Sequence, residues 1–224
     1  MKTLNQFVFL FLVLGLMTAC QNTPSEAVKT EEAVGKAAAA SAEAAAFTVN
    51  PTTSVIKWVG SKPTGDQHMG TLNISAGKLS VENGDLKSGS FELDMNSIAC
   101  TDLESGDGKE KLEGHLKNED FFEVEKFPSG KFVITGIQKT DNKVGVTHTI
   151  SGDLTLKDIT KSISFDTNVA LIGNDLTAVT PSFKINRTEW GINFNSGILG
   201  TVKDRLINDD IALTIDLKAS NNAN

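Results

Sequence analysis

The eight residues Thr149-Ile150-Ser151-Gly152-Asp153-Leu154-Thr155-Leu156 set apolar side chains at 150, 154 and 156 against polar ones at 149, 151, 153 and 155. A period of two marks a strand with one buried face. The alternation recurs on both sides of this stretch. Upstream, Ile56 and Trp58 flank Lys57, and Leu72 and Ile74 alternate with Thr71, Asn73 and Ser75. Leu79 and Val81 follow Ala76-Gly77, Phe91, Leu93 and Met95 alternate with Glu92, Asp94 and Asn96, and Phe132 and Ile134 come next. Downstream, Ile163, Phe165, Val169 and Leu171 form one run, Phe183 and Ile185 another, and Ile211, Leu213, Ile215 and Leu217 the last. Asn83-Gly84, Asp141-Asn142 and Gly173-Asn174-Asp175 supply turns between runs. Such a chain is all-β, with about eight or nine antiparallel strands whose apolar faces point inward. Few helices are on hand to cover the sheet, so it closes into a barrel or folds as a sandwich.

One stretch breaks the pattern. In Leu112–Pro128, LEGHLKNEDFFEVEKFP, Leu112 and Leu116 stand four apart, and Asp107, Glu110 and Glu113 precede Lys117, the order a helix dipole favours. Phe121, Phe122 and Phe127 then place three aromatics in seven residues. A short helix is predicted here, with two readings: a lid over one end of a barrel, or a hydrophobic plug that completes the core.

The ends of the 224-residue chain have a different character. Residues 1–19 read as a signal peptide: Lys2, an apolar run from Phe7 to Met17 too short to span a bilayer comfortably, and Thr18-Ala19 as a small-residue cleavage site. Leu16-Met17-Thr18-Ala19-Cys20 resembles a bacterial lipobox, which implies lipid on Cys20 and a stable membrane anchor. Residues 20–46, rich in Ala and Glu and without an aromatic until Phe47, read as a flexible tether. Residues 219–224, ASNNAN, read as a frayed tail, which leaves 47–218 as one folded domain.

Composition excludes several classes of function. Loss of the leader removes Lys2 and no acid, taking the net charge from −7 to −8, and the only arginines are Arg187 and Arg205. A nucleic-acid partner is therefore not expected. With Cys20 lipidated, Cys100 has no partner, so no disulfide framework is expected; ending an apolar strand, Cys100 reads as a partly buried, inert thiol. His68, His115 and His148 are far apart and in no metal-ligand spacing, so no metal is expected. There is no G-x-S-x-G elbow, no phosphate loop and no cofactor motif, and the chain reads as a binding protein rather than an enzyme.

Four further pieces carry a resemblance. Gly114-His115-Leu116-Lys117 with Asp120-Phe121-Phe122-Glu123 and Phe127-Pro128 is the first, and Ser151 to Lys161 running into Ser162-Ile163-Ser164-Phe165 is the second. Phe183 to Ile192, with Arg187, Trp190 and Gly191, is the third, and Val202-Lys203-Asp204 followed by the run from Asp209 to Leu217 is the fourth. In order and spacing they resemble the YceI family over Thr53 to about Leu217, with Glu123 and Trp190 departing from the commoner Asp and Phe. The resemblance implies a lipocalin-like, eight-stranded antiparallel barrel, exported and hollow, that holds a long isoprenoid or acyl lipid, with the helical segment as a lid at one mouth.

The expectations are then concrete. Trp58, Phe91, Leu93, Phe132, Leu154, Phe165, Ile185 and Leu213 line a cavity, and Leu112, Leu116, Phe121 and Phe122 form its lid. His115, Lys117 and Arg187 are head-group candidates, and each has a competing reading as a structural polar contact. The protein is expected in the bacterial envelope, anchored at Cys20 and facing the periplasm, sequestering or transporting its lipid. The alternative is a structural or stress-related envelope protein with a filled barrel that acts through surface contacts.

Overall fold

The computed structural model describes residues 27–140, 143–197, 200 and 202–221. The leader 1–19, Cys20 with its lipobox and residues 222–224 of the tail lie outside the described residues. In chain order the strands are β1 (Glu31–Glu32), β2 (Ala45–Val49), β3 (Val55–Ser61), β4 (Gln67–Glu82) and β5 (Asp85–Cys100). Helix α1 (Lys109–Lys117) follows, then β6 (Ser129–Lys139), β7 (His148–Leu156), β8 (Ile159–Ile172), β9 (Asp175–Val179), β10 (Phe183–Asn186) and β11 (Asp210–Ser220).

All strand pairs are antiparallel, and they close on themselves as eight staves. β4 to β8 pair in sequence order as five of them. β2 and β3 share a sixth stave between β4 and β11, and β9 and β10 share a seventh on the other side of β11, the eighth. Pairing of β9 with β8 closes the ring. This is the lipocalin-like barrel expected from the strand pattern and the resemblance.

Closure bends the long staves, and the bends account for shifts in the hydrophobic period. Inward residues on β4 are even-numbered to Ile74 and odd-numbered from Leu79, with a bulge at Ile74/Ala76 between them. On β6 the inward set passes from Phe132 and Ile134 to Ile137 across the bulge at Ile134/Gly136. Each extra residue flips the face, and the sequence flips its apolar parity in step.

Inside, four phenylalanines form a belt. Phe91 lies 6.3 Å from Phe132, Phe132 lies 5.6 Å from Phe165, and Phe165 stacks at 4.7 Å on Phe183. The belt skips β7 because Phe132 lies across Gly152, where an added Cβ would stand 2.2 Å from the ring. Gly70 serves Trp58 in the same way, its hypothetical Cβ falling 2.4 Å from the indole.

The N-terminal reading needs correction from residue 27 onward. β8 pairs β9 only from Asn168, so Ile159 to Thr167 and β10 part company along one side of the barrel. The chain before β2 runs into this split. Val28 N–H donates to Lys184 O at 2.7 Å, and Glu31 and Glu32 pair Ser162 and Lys161. The strap then crosses β7, where Val34 and Gly35 N–H donate to the Asp153 carboxylate at 3.0 and 2.8 Å, and Ala38 N–H reaches Ile134 O beside the β6 bulge. Alanines give this segment little apolar area, as the composition implies, but its backbone satisfies groups the barrel leaves unpaired. The C-terminal boundary moves as well. Ala219 is buried and Ser220 pairs Thr48 and Asp175, so the last strand runs into what reads as tail.

Asp153→Ala removes the carboxylate that holds the strap, and charged hydrogen bonds are worth about 1.5–3 kcal/mol. Amides of residues 28–38 are expected to exchange roughly ten- to a hundredfold faster by hydrogen-exchange mass spectrometry, with barrel amides unchanged.

Candidate functional site

The inward residues do not fill the barrel. A cavity of about 720 Å³ runs through it, within the range of pockets that enclose most of a small apolar ligand. Trp58, Phe91, Leu93, Phe132, Leu154, Phe165, Ile185 and Leu213 all line it. Met95, Ile98, Leu176 and Ala178 line it too. Two threonines reach the cavity without making it polar: Thr167 Oγ1 donates to Val179 O at 3.2 Å, and Thr180 Oγ1 accepts Ile215 N–H at 2.9 Å. Trp190, fully buried, donates Nε1–H to Leu154 O at 3.0 Å and pins the 187–190 turn to β7. The filled-barrel alternative does not describe this interior.

Helix α1 sits in the β5–β6 connection across one mouth. It begins at Gly108, whose φ of 93° suits glycine. Ser105 Oγ and Gly106 N–H donate to the Glu110 carboxylate at its first turn, holding that acid down to about 2. Leu112 and Leu116 line the cavity, yet no side chain of the helix is fully buried. Leu116 packs in part against the core, and the apolar stripe also borders the void. Phe121 and Phe122 line the cavity beyond the helix. Phe127 does not reach it and lies instead under the Lys126 ammonium, 4.8 Å from the ring centre.

The three head-group candidates part ways. His115 lines the mouth, its Nε2 3.0 Å from Asp120 Oδ2 and its ring edge-on to Phe121 at 4.9 Å and Phe194 at 4.7 Å. It thereby ties α1 to the 191–197 loop. Lys117 does not line the cavity. Arg187 borders the cavity but is only 2% exposed. Its NH1 donates to Ile192 O at 2.7 Å, its Nε to Asn208 O, and its NH2 to Ile207 O and Asp209 Oδ1, each at 3.2 Å. Burial pushes the guanidinium down from its ordinary value while Asp209 opposes the shift. Arg187 clasps the 187–209 crossing, with four hydrogen bonds to protein acceptors.

One cluster escaped the sequence reading. Pairing of Gly70 with Cys100 brings His68, Cys100 and Asp102 together beside the lid. Cys100 is fully buried rather than partly so, and burial pushes its thiol up. Burial also raises Asp102, but hydrogen bonds from Met69 N–H, His68 and Cys100 outweigh it and bring the carboxyl to about 2. The residues are 2 to 34 positions apart, so linear spacing carried no signal.

Residues 47–219 match the family model described as YceI-like domain. A UPF0312 protein of Staphylococcus aureus strain N315 is 35% identical over 95 residues, 40% of this chain and 51% of that protein. The chain thus spans about half the length of the curated relatives it matches. Among solved structures, Burkholderia cenocepacia BcnA superposes with a TM-score of 0.60 at 18% identity, over 77% of this chain and 99% of its own. A polyisoprenoid binding domain from Saccharophagus degradans superposes with a TM-score of 0.54 at 14% identity, over 79% and 99%. At these identities the likeness is one of fold.

Proposed function

The chain belongs to the YceI-like domain family, and from that premise we propose that it holds one long apolar chain, of isoprenoid or fatty-acyl type, inside its barrel. The observation that carries the reading is the cavity of about 720 Å³, walled mainly by aliphatic and aromatic side chains. Burying each methylene of a ligand there contributes about 0.8 kcal/mol, and no charged group must be desolvated deep in the barrel. The polyisoprenoid binding domain of similar fold supports an apolar chain over a compact ligand. On this reading the protein is a carrier and not an enzyme, and α1 with Phe121 and Phe122 governs entry.

Phe121 tests the lid. Its ring is 8% exposed and packs on His115 and Phe194. Phe121→Ala is expected to cost about 3–5 kcal/mol of stability at most. It is also expected to speed release of a prenyl or acyl probe, measured by stopped-flow fluorescence well below the melting point. Unchanged exchange in a folded variant would reduce the segment to a plug.

Anchoring forms a second part of the proposal. The lipobox-like run to Cys20 supports an envelope lipoprotein that faces the periplasm and sequesters or moves its lipid near a membrane. Cys20→Ser is expected to shift the protein into the soluble fraction, with loss of the acyl mass from the intact protein. A variant that stays membrane-bound, alongside a parent carrying no acyl chains, would remove the anchor.

A further inference from the structure

We propose that His68, Cys100 and Asp102 form a binding site for a divalent, zinc-type cation at the rim of the cavity. One donor atom from each, a ring nitrogen of His68, Cys100 Sγ and a carboxylate oxygen of Asp102, lie within 4.8 Å of one another. His68 Nδ1 lies 2.9 Å from Asp102 Oδ2 and Cys100 Sγ 3.2 Å from Asp102 Oδ1, one contact to each carboxylate oxygen. Tetrahedral Zn²⁺ with bonds of 2.0–2.3 Å sets its ligands roughly 3.3–3.6 Å apart. Separations of up to 4.8 Å must therefore close by about 1 Å, and His68, 45% exposed, has room to move.

The carboxylate at the centre is held in place. Asp102 Oδ1 also accepts Met69 N–H at 2.8 Å, and Thr101 N–H donates to Met69 O at 2.9 Å, which locks residues 100–102 against β4. A rigid backbone-held ligand is what a metal site uses to fix its geometry. The local charge is also unbalanced. Glu113 of α1 accepts Cys100 N–H at 2.8 Å, placing a second carboxylate on the same turn. Among the described residues, neither Asp102 nor Glu113 forms an ion pair with a lysine or arginine.

Thiol, imidazole and carboxylate together suit a borderline cation, whereas Ca²⁺ and Mg²⁺ call for oxygen ligands alone. On binding, the Cys100 thiol gives its proton to solvent and its sulfur bonds the metal. His68 binds as neutral imidazole through Nδ1 with its proton on Nε2, and Asp102 binds as carboxylate. One thiolate and one carboxylate neutralise the +2 ion, and a water takes the fourth position. Because His68 lines the mouth, the ion would stand at the entrance. The site is independent of what the cavity holds.

The experiment is titration of the reduced full chain with Co²⁺ and then Zn²⁺, read by absorption and calorimetry. Stoichiometric Co²⁺ is expected to give four-coordinate d–d bands and a thiolate-to-cobalt charge-transfer band that equimolar Zn²⁺ abolishes. Cys100→Ser should lose the charge-transfer band. His68→Ala, at an exposed position with little effect on folding, should weaken Zn²⁺ binding at least about tenfold. Absence of the charge-transfer band in the parent overturns the site. So does parent-like Zn²⁺ affinity in folded His68→Ala, which would place the ion elsewhere.

Discussion

Arg187→Ala is expected to destabilise the barrel by about 3–5 kcal/mol, the cost of removing a buried guanidinium and its four hydrogen bonds. The loss has four parts. The carbonyls of Ile192, Ile207 and Asn208 lose their donor, and Asp209 keeps a charge with no partner. Urea unfolding should show it directly, and the thermal midpoint should fall by roughly 10 °C. Arg187→Lys retains the charge but not the planar fork, so it is expected to recover less than half of the loss. Native stability in Arg187→Ala combined with weakened lipid binding would reverse the assignment and make Arg187 a head-group contact.

Ala178→Trp is the counterpart inside the cavity. Ala178 faces inward on β9 beside Leu176, and Val169 is its cross-strand partner on β8. An indole there enters existing space, so stability should hold or rise, whereas overpacking a filled core costs about 1–3 kcal/mol. The same indole occupies the path of a bound chain. Displacing about four methylenes forfeits roughly 3 kcal/mol, or about a hundredfold in affinity. Competition with a fluorescent acyl probe measures the affinity and denaturant titration the stability. Unchanged affinity in a folded variant would put the ligand outside the barrel.

Both variants depend on features of unequal visibility in the sequence. The inward face of Phe132, Leu154, Phe165 and Ile185 was legible because strand periodicity is a local property, set by alternate side chains on one backbone. Leu112 and Leu116, followed by Phe121 and Phe122, were legible as a helical interruption for the same reason. Arg187 was visible as a motif residue, but its clasp was not, because its acceptors sit 5 to 22 residues further on in a loop of no regular pattern. Residues 27–46 misled the composition argument. That argument weighs side chains, and the strap is held by its backbone amides.

What the sequence determined by itself was the all-β class, the inward face along most of β3 to β8, β10 and β11, and the position of the helical segment between β5 and β6. Each follows from residues within a few positions of one another. Tertiary structure alone decided that the barrel is hollow. A void is the difference between the volume that eight tilted staves enclose and the volume their inward side chains fill, and neither quantity is local. It also decided that a strap closes the split between β8 and β10, and that His68 meets Cys100 and Asp102. Those meetings depend on cross-strand register and ring closure, which bring together residues that the chain keeps apart.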